Sequence, residues 1–172
     1  MICEAFGWPQ HDFAYLRIGK AASRTLVDYF HDRDGAVEGL PVDQDFSQYR
    51  IRFAVIRHPI ARVLSYWADA KHRDMPFDYY VDKIPDLAAL NDPHVTPFSG
   101  IEKKATHLFP LETMDIWWTL MQRDVPALFH DRPEHRKGVS KLPKPTPTES
   151  QLAKLLNFYF DDIRLWERCI KS

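Results

Sequence analysis

Two short apolar runs, each followed directly by a helical pattern, constrain the fold of this chain most. The first run covers residues 13–18 and ends at Gly19, after which apolar residues recur at helical spacing: Ala22, Leu26, Val27 and Phe30. The second run covers residues 52–56, and Pro59 then suits the first turn of a helix with the apolar stripe Ile60, Val63, Leu64 and Trp67. Runs rich in β-branched and aromatic residues are typical of buried parallel strands. Strands that alternate with helices predict an α/β fold, in which helices flank a short parallel sheet.

The rest of the chain adds elements of the same kind. Residues 32–48 combine acids with glycine and proline and are predicted to be a surface connection. A third strand is predicted at residues 107–111, and helices at residues 77–84, from Thr113 to about residue 123, after Thr148 and at residues 163–170. Their predicted core faces are Ile116, Trp117, Leu120 and Met121 in one helix, and Leu152, Leu155, Leu156 and Tyr159 in another. The length of 172 residues suits one domain, residues 1–172, with a real core.

Charge and hydropathy narrow the class of protein. The formal net charge of -1 argues against a general nucleic-acid coat, so any anion site must be local and no nucleic-acid partner is predicted. No apolar run approaches the ~20 residues of a transmembrane helix, and the N-terminus lacks the pattern of a signal peptide. Cys3 and Cys169 have no metal-ligand spacing. We therefore expect a cytoplasmic protein without a membrane span.

The first strand-to-helix connection, residues 19–25 and here called the first junction, is a candidate anion site. It contains two cations, two hydroxyls and small residues, in the order Lys20, Ala21, Ala22, Ser23, Arg24 and Thr25. Small side chains let backbone N–H groups approach a phosphate, and the lysine acts as a point charge. The pattern is not a Walker A loop. Taken alone, it is equally well explained as an ordinary turn with a solvated lysine.

The second connection, residues 57–65 and here called the second junction, is a weaker candidate when taken alone. Arg57 follows the strand, and Ser65 lies eight positions further on. These eight positions span about 12 Å of helix axis, so both side chains reach one phosphate only if it lies alongside the start of the helix. An arginine at the sheet edge and a serine facing solvent would explain the pattern somewhat better.

Together the two junctions resemble the sulfotransferase superfamily, and most closely the carbohydrate (membrane-type) sulfotransferases and their bacterial relatives. The first junction is similar to the 5′-phosphosulfate loop, P-K-x-[AG]-x-[ST]-[ST]. The second, IRHPIARVLSYW, is similar to the 3′-phosphate motif, an arginine followed eight residues later by a serine. FDYYVDKI, DPHVTPFSG and PLETM extend the resemblance more weakly. Gly19 stands where the family usually has proline, and Arg24 where relatives often carry threonine or serine.

The resemblance implies a P-loop-nucleotide-hydrolase-like sulfotransferase fold and the sulfuryl donor 3′-phosphoadenosine 5′-phosphosulfate (PAPS). The first junction would bind the 5′ end, where Lys20, helped by Thr25, would stabilise the leaving oxygen. Arg57 and Ser65 would hold the 3′-phosphate, and Arg136, in a basic run, would belong to a loop that covers the nucleotide. Because the protein supplies the cations, no metal is expected.

An acceptor hydroxyl, for instance of a carbohydrate, needs a general base. His94, in the polar turn DPHVTP, is the first candidate, and a structural histidine is an equally good explanation. Glu112 is the second candidate, and a charge at a helix N-terminus is its alternative.

Two other functions remain open. The departures in the first junction and the short chain are compatible with a non-catalytic module that binds a nucleotide or a sulfated ligand. A small-molecule kinase is less well supported because the Walker A pattern is missing. Catalytic turnover would distinguish an enzyme from the non-catalytic module. Use of ATP with magnesium would identify a kinase.

Overall fold

A five-stranded sheet forms the centre of the computed structural model, which describes residues 2, 4–31, 37–40, 44–69, 75–133 and 143–172. Its strands are β1 (Glu4–Trp8), β2 (Phe13–Arg17), β3 (Val37–Leu40), β4 (Ile51–Ile56) and β5 (His107–Pro110). They lie in the order β3-β1-β2-β4-β5. Strands β2, β4 and β5 are parallel neighbours, whereas β1 runs antiparallel to both β2 and β3. The α/β class is confirmed, and the sheet is mixed rather than wholly parallel.

Six α-helices accompany the sheet in the described part of the chain. They are α1 (Ser23–His31), α2 (Pro59–Trp67), α3 (Phe77–Ala89), α4 (Met114–Asp124), α5 (Glu149–Phe158) and α6 (Phe160–Lys171). Helix α1 follows β2 and α2 follows β4, as the two apolar runs predict. Within the described ranges, no helix is long and apolar enough to cross a membrane.

The parallel strands β2 and β4 are buried on both faces. One face carries an aromatic cluster, in which Phe13, Tyr15 and Phe53 pack against Phe30 of α1, and Phe13 and Phe53 also pack against Phe129. The residues that alternate with them are also buried: Ala14, Leu16, Ala54 and Ile56. This burial explains why the two runs are apolar throughout. The parallel pairing of β2 with β4 places their carboxyl ends side by side at one edge of the sheet.

Two predictions about secondary structure were wrong. Strand β3 lies inside the segment predicted to be a surface connection, and its pairing with β1 is irregular between Ala5 and Gly7. Helix α3 continues to Ala89 instead of ending before Pro85, which lies on the exposed side of the helix. A proline in a helix removes one hydrogen bond, and here the flanking turns continue regardless.

The predicted core faces of two helices were too wide. Ile116 is 66% exposed and Leu120 is 37% exposed, whereas Trp117 and Met121 of the same helix are buried. A similar division is seen in α5 and at the residue that follows it. Leu152 and Leu156 are partly exposed, whereas Leu155 and Tyr159 are buried. Apolar spacing identifies a stripe, but tertiary contacts decide how much of its width is covered.

Candidate functional site

The backbone of the first junction is strained at two positions. Lys20 has φ 63° and Ala22 has φ 55°, a left-handed conformation that residues other than glycine rarely adopt. Such conformations cost about 1–3 kcal/mol each and cluster at functional sites. The N–H of Leu26 donates to the carbonyl of Ala22 at 3.0 Å, so α1 begins directly after the strained residues. The N–H groups of its first turn have no acceptor within the helix and are suited to an anion.

The side chains of the first junction divide into buried hydroxyls and converging cations. Ser23 and Thr25 are buried, and Ala21 is fully covered. The Lys20 ammonium and the Arg24 guanidinium both pair with one oxygen, Oδ2 of Asp69, which lies 3.1 Å from Arg24 Nη2. Two cations that meet at a single carboxylate oxygen form an arrangement that also suits an oxygen of a bound anion.

Arg57 connects the two junctions. It follows β4, and its Nη1 lies 3.4 Å from the carbonyl oxygen of Lys20, to which it donates. Burial lowers the pKa of the half-buried Arg57 guanidinium, and the nearby carboxylate of Glu112 partly offsets this. No carboxylate of the described residues forms a salt bridge with Arg57. A partly desolvated cation without an ion-pair partner is electrostatically suited to an incoming anion.

Ser65 lies on α2, one turn before Asp69, and is half-buried. Ser65 is in the last turn of α2, and Asp69, which pairs with the cations of the first junction, lies two residues beyond the end of that helix. No hydrogen bond among the described residues joins Ser65 to Arg57, and their predicted cooperation on one phosphate remains a prediction.

His94 lies close to the first junction, a proximity that the sequence does not reveal. Its ring stacks on Tyr66 of α2, with a centroid distance of 4.3 Å and an interplanar angle of 10°. The Nζ of Lys20 lies 5.5 Å from the centroid of the same tyrosine ring. The predicted base and the predicted donor-binding lysine therefore share one aromatic platform.

Two further residues of this network, Tyr66 and Asp92, were not predicted as site residues. Asp92 Oδ1 lies 3.1 Å from His94 Nδ1, and the Tyr66 hydroxyl donates to Asp92 Oδ2 at 3.1 Å. The sequence offered only one signal, an aspartate two positions before the histidine, which is common in tight turns. The contact with Tyr66 depends on packing between α2 and the turn after α3.

Glu112 contacts two other elements through its carboxylate. It lies in a short 3₁₀ turn, Leu111–Thr113, after β5. One carboxylate oxygen accepts the backbone N–H of His58 at 3.0 Å, and the other accepts Trp166 Nε1 at 2.9 Å. The carboxylate therefore connects the start of α2 to α6. These contacts favour a structural role at a helix N-terminus for Glu112. Its role as a general base stays a prediction.

The predicted covering loop lies largely outside the described residues. Arg136, Lys137 and Lys141 belong to the part of the chain that is not described. Arg132, just before that part, pairs with Asp115 of α4. Among the described residues, no group of three or more His, Cys, Asp or Glu side chains is arranged to hold a metal ion.

A separate cleft of about 690 Å³ lies between α6 and residues 99–103. Both signs of charge line it, with acids and bases interspersed: Glu102, Lys103, Asp161, Arg164, Glu167, Arg168 and Lys171. It shares no residue with either junction. Its mixed charge selects no class of ligand, so the junctions remain the candidate site.

Comparisons of this chain with protein-family models, curated proteins and solved structures found no match.

Proposed function

We propose that this protein is a sulfotransferase with a P-loop-like sulfotransferase fold, which moves a sulfuryl group from PAPS to a hydroxyl acceptor such as a carbohydrate. One observation carries the proposal: the hydrogen bond from Arg57 to the Lys20 carbonyl, which brings the two cationic junctions together. The junctions follow adjacent parallel strands, β2 and β4, and ligands of α/β sheets bind at such carboxyl ends.

A donor with phosphate at both its 3′ and 5′ positions matches two neighbouring anion sites. At the first junction, Lys20 and Arg24 converge on a carboxylate oxygen that stands in for an oxygen of the phosphosulfate. At the second, the Arg57 guanidinium is half-buried and would hold the 3′-phosphate. Each charge-assisted hydrogen bond would contribute roughly 1.5–3 kcal/mol.

The proposed reaction is an in-line displacement at sulfur. The acceptor oxygen forms a bond to sulfur while the bond from sulfur to the oxygen of the 5′-phosphate breaks, which leaves 3′-phosphoadenosine 5′-phosphate (PAP). The Lys20 ammonium stabilises the charge that develops on the leaving oxygen. His94 accepts the proton of the acceptor hydroxyl.

Arg57→Ala tests the assignment of the 3′-phosphate. We expect the Kd for PAP to rise by about 10- to 100-fold, since a charge-assisted contact is lost, and the Kd for adenosine 5′-phosphate to change by less than about threefold. Isothermal titration calorimetry measures both. Arg50→Ala is the matched control, because Arg50 is exposed and pairs with Asp12 at 3.6 Å.

Two results would count against the proposal. Wild-type protein that binds PAP no better than ATP would remove the support for a PAPS-type donor. Equal weakening of both adenosine ligands in Arg57→Ala would place Arg57 elsewhere than at the 3′-phosphate.

Asp69→Asn tests whether the first junction is an anion site. The Asp69 carboxylate now pairs with Lys20 and Arg24, so a bound donor must compete with it. Its neutralisation is expected to tighten PAP binding by about three- to tenfold, the effect of one or two partly exposed ion pairs. Titrations at constant ionic strength measure the change, with Asp82→Asn, an exposed partner of Lys154, as control. Weaker binding would instead mean that Asp69 holds Lys20 in place for the ligand.

A non-catalytic binding module is the second candidate function. It is favoured by the same engagement of Lys20 by Asp69, together with Arg24 at a position where a hydroxyl residue was expected. Such a module would bind PAP but transfer no labelled sulfuryl group from PAPS to glycans or small alcohols. Transfer to any of these acceptors would exclude it.

A further inference from the structure

Asp92 makes contacts in two directions from the turn after α3. Asn91 has φ 59°, which reverses the chain at the end of the helix. Oxygen Oδ1 of Asp92 accepts the backbone N–H of His94 at 2.9 Å and lies 3.1 Å from Nδ1 of the same residue. Oxygen Oδ2 accepts the hydroxyl of Tyr66 at 3.1 Å. The carboxylate therefore links the imidazole to the helix on which that imidazole stacks.

From these contacts we propose that Asp92 is a positioning residue that fixes the tautomer and orientation of His94, with Tyr66 as the supporting platform. The role of His94 as a base rests on the proposed sulfotransferase function. Asp92 holds a proton on Nδ1, so that the neutral ring carries its lone pair on Nε2. The face-to-face stack on Tyr66 restrains the rotation of the imidazole. In the reaction, Nε2 takes the proton of the acceptor hydroxyl, Asp92 stays ionised beside the imidazolium, and the proton later leaves to water.

The turn itself does not require the second oxygen of Asp92. The backbone carbonyl of Asp92 already accepts the backbone N–H of Thr96 at 2.9 Å and the hydroxyl of Thr96 at 2.7 Å. These bonds close the turn without the carboxylate. The Tyr66 hydroxyl belongs to a different helix, α2, and donates to the carboxylate of Asp92 rather than to its backbone. Lys20 faces the same tyrosine ring, and its partner Asp69 lies near the end of that helix. The carboxylate is thus placed to orient the histidine relative to the donor-binding lysine.

The first measurement is the tautomer of His94, which does not depend on activity. Long-range proton–nitrogen correlation spectra of the full chain assign the protonated ring nitrogen. We expect the Nδ1–H form in the wild type, a mixture of both tautomers in Asp92→Ala, and no change in Asp86→Asn, which neutralises an exposed aspartate of α3 paired with Lys83. The same tautomer in wild type and Asp92→Ala would overturn the proposal.

The second measurement separates positioning from binding. With PAPS and an acceptor found by screening, Asp92→Ala is expected to lower kcat by about 10- to 100-fold, while the Kd for PAP changes by less than about twofold. Because Asp92 acts through His94, the double variant with His94→Gln should lose no more than His94→Gln alone. Losses that multiply in the double variant would overturn the proposal.

A third variant covers a failure of Asp92→Ala to fold. Tyr66→Phe keeps the stacked ring and removes only the hydroxyl, so kcat should fall by about three- to tenfold, without a loss of PAP binding. An unchanged kcat in Tyr66→Phe would overturn the role of the Tyr66 hydroxyl in holding Asp92. If the wild type binds no PAP and transfers no sulfuryl group, the proposed function fails, and the tautomer alone then decides whether Asp92 positions His94.

Discussion

Lys20→Met is expected to lower kcat for sulfuryl transfer by about 10²–10³, while the affinity for PAP falls by less than about tenfold. The charge on the leaving oxygen develops only as the bond to sulfur breaks, so the ammonium contributes more to the transition state than to the bound donor. The Lys20 side chain is only 14% exposed, which places this charge where water screens it little. Methionine keeps most of the apolar length of lysine and removes the ammonium.

The matched control is Arg24→Met, at the neighbouring cation of the same junction. Arg24 pairs with the same oxygen of Asp69, but its side chain is 62% exposed. We expect its removal to lower kcat by less than about tenfold, because solvent screens an exposed charge. Transfer assays with radiolabelled PAPS give kcat, and calorimetry gives the affinity for PAP. A kcat of Lys20→Met equal to that of the wild type would contradict the assigned role of Lys20.

The strands and helices around both junctions follow from local sequence. The strand predicted at residues 13–18 is observed as Phe13–Arg17, and the one at residues 52–56 as Ile51–Ile56. Helix α2 begins at Pro59, as predicted. Apolar runs and a proline in the first turn act over a few residues, so no tertiary information is needed to recognise them.

The contacts that complete the site depend on residues far apart in sequence. Lys20 meets Asp69 across 49 positions, and Tyr66 meets Asp92 across 26. No local pattern specifies such partners. Arg62 shows the same limit, because it lies outside the apolar stripe of α2 and is nevertheless fully buried. Its partner, Asp162, lies on α6.

Asp162 and Arg62 form hydrogen bonds to the backbone of the segment that carries His94. The Asp162 carboxylate accepts the backbone N–H groups of Phe98 at 2.9 Å and Ser99 at 2.7 Å. Arg62 Nη2 lies 3.9 Å from Asp162 Oδ2 and donates to the carbonyl of Thr96 at 2.8 Å. Burial raises the pKa of the Asp162 carboxyl, although the two N–H groups and Arg62 partly offset this. We therefore expect the carboxylate to stabilise the protein chiefly as a hydrogen-bond acceptor rather than as a charge.

Asp162→Ala is expected to lower the free energy of unfolding by about 3–5 kcal/mol, because it leaves the N–H groups of Phe98 and Ser99 without their acceptor and the buried Arg62 guanidinium without its ion-pair partner. Asp162→Asn should cost less than half as much, since its amide oxygen still accepts from the segment and burial already disfavours the charge. Equilibrium unfolding in urea measures both, and Asp161→Asn, at an exposed neighbour, should stay within about 0.5 kcal/mol of the wild type.

The pH dependence of the free energy of unfolding independently tests whether Asp162 acts as a hydrogen-bond acceptor or as a charge. With its pKa raised by burial, Asp162 holds its proton to higher pH in the folded protein than in the unfolded chain. Its contribution to stability therefore falls as the pH rises from the ordinary carboxyl pKa through the raised one. Asp162→Asn should lack this decrease, so the difference in stability between wild type and variant should narrow towards higher pH. A difference that widens with pH would show that the paired charge, rather than the hydrogen bonds to residues 98 and 99, holds the segment against α2 and α6.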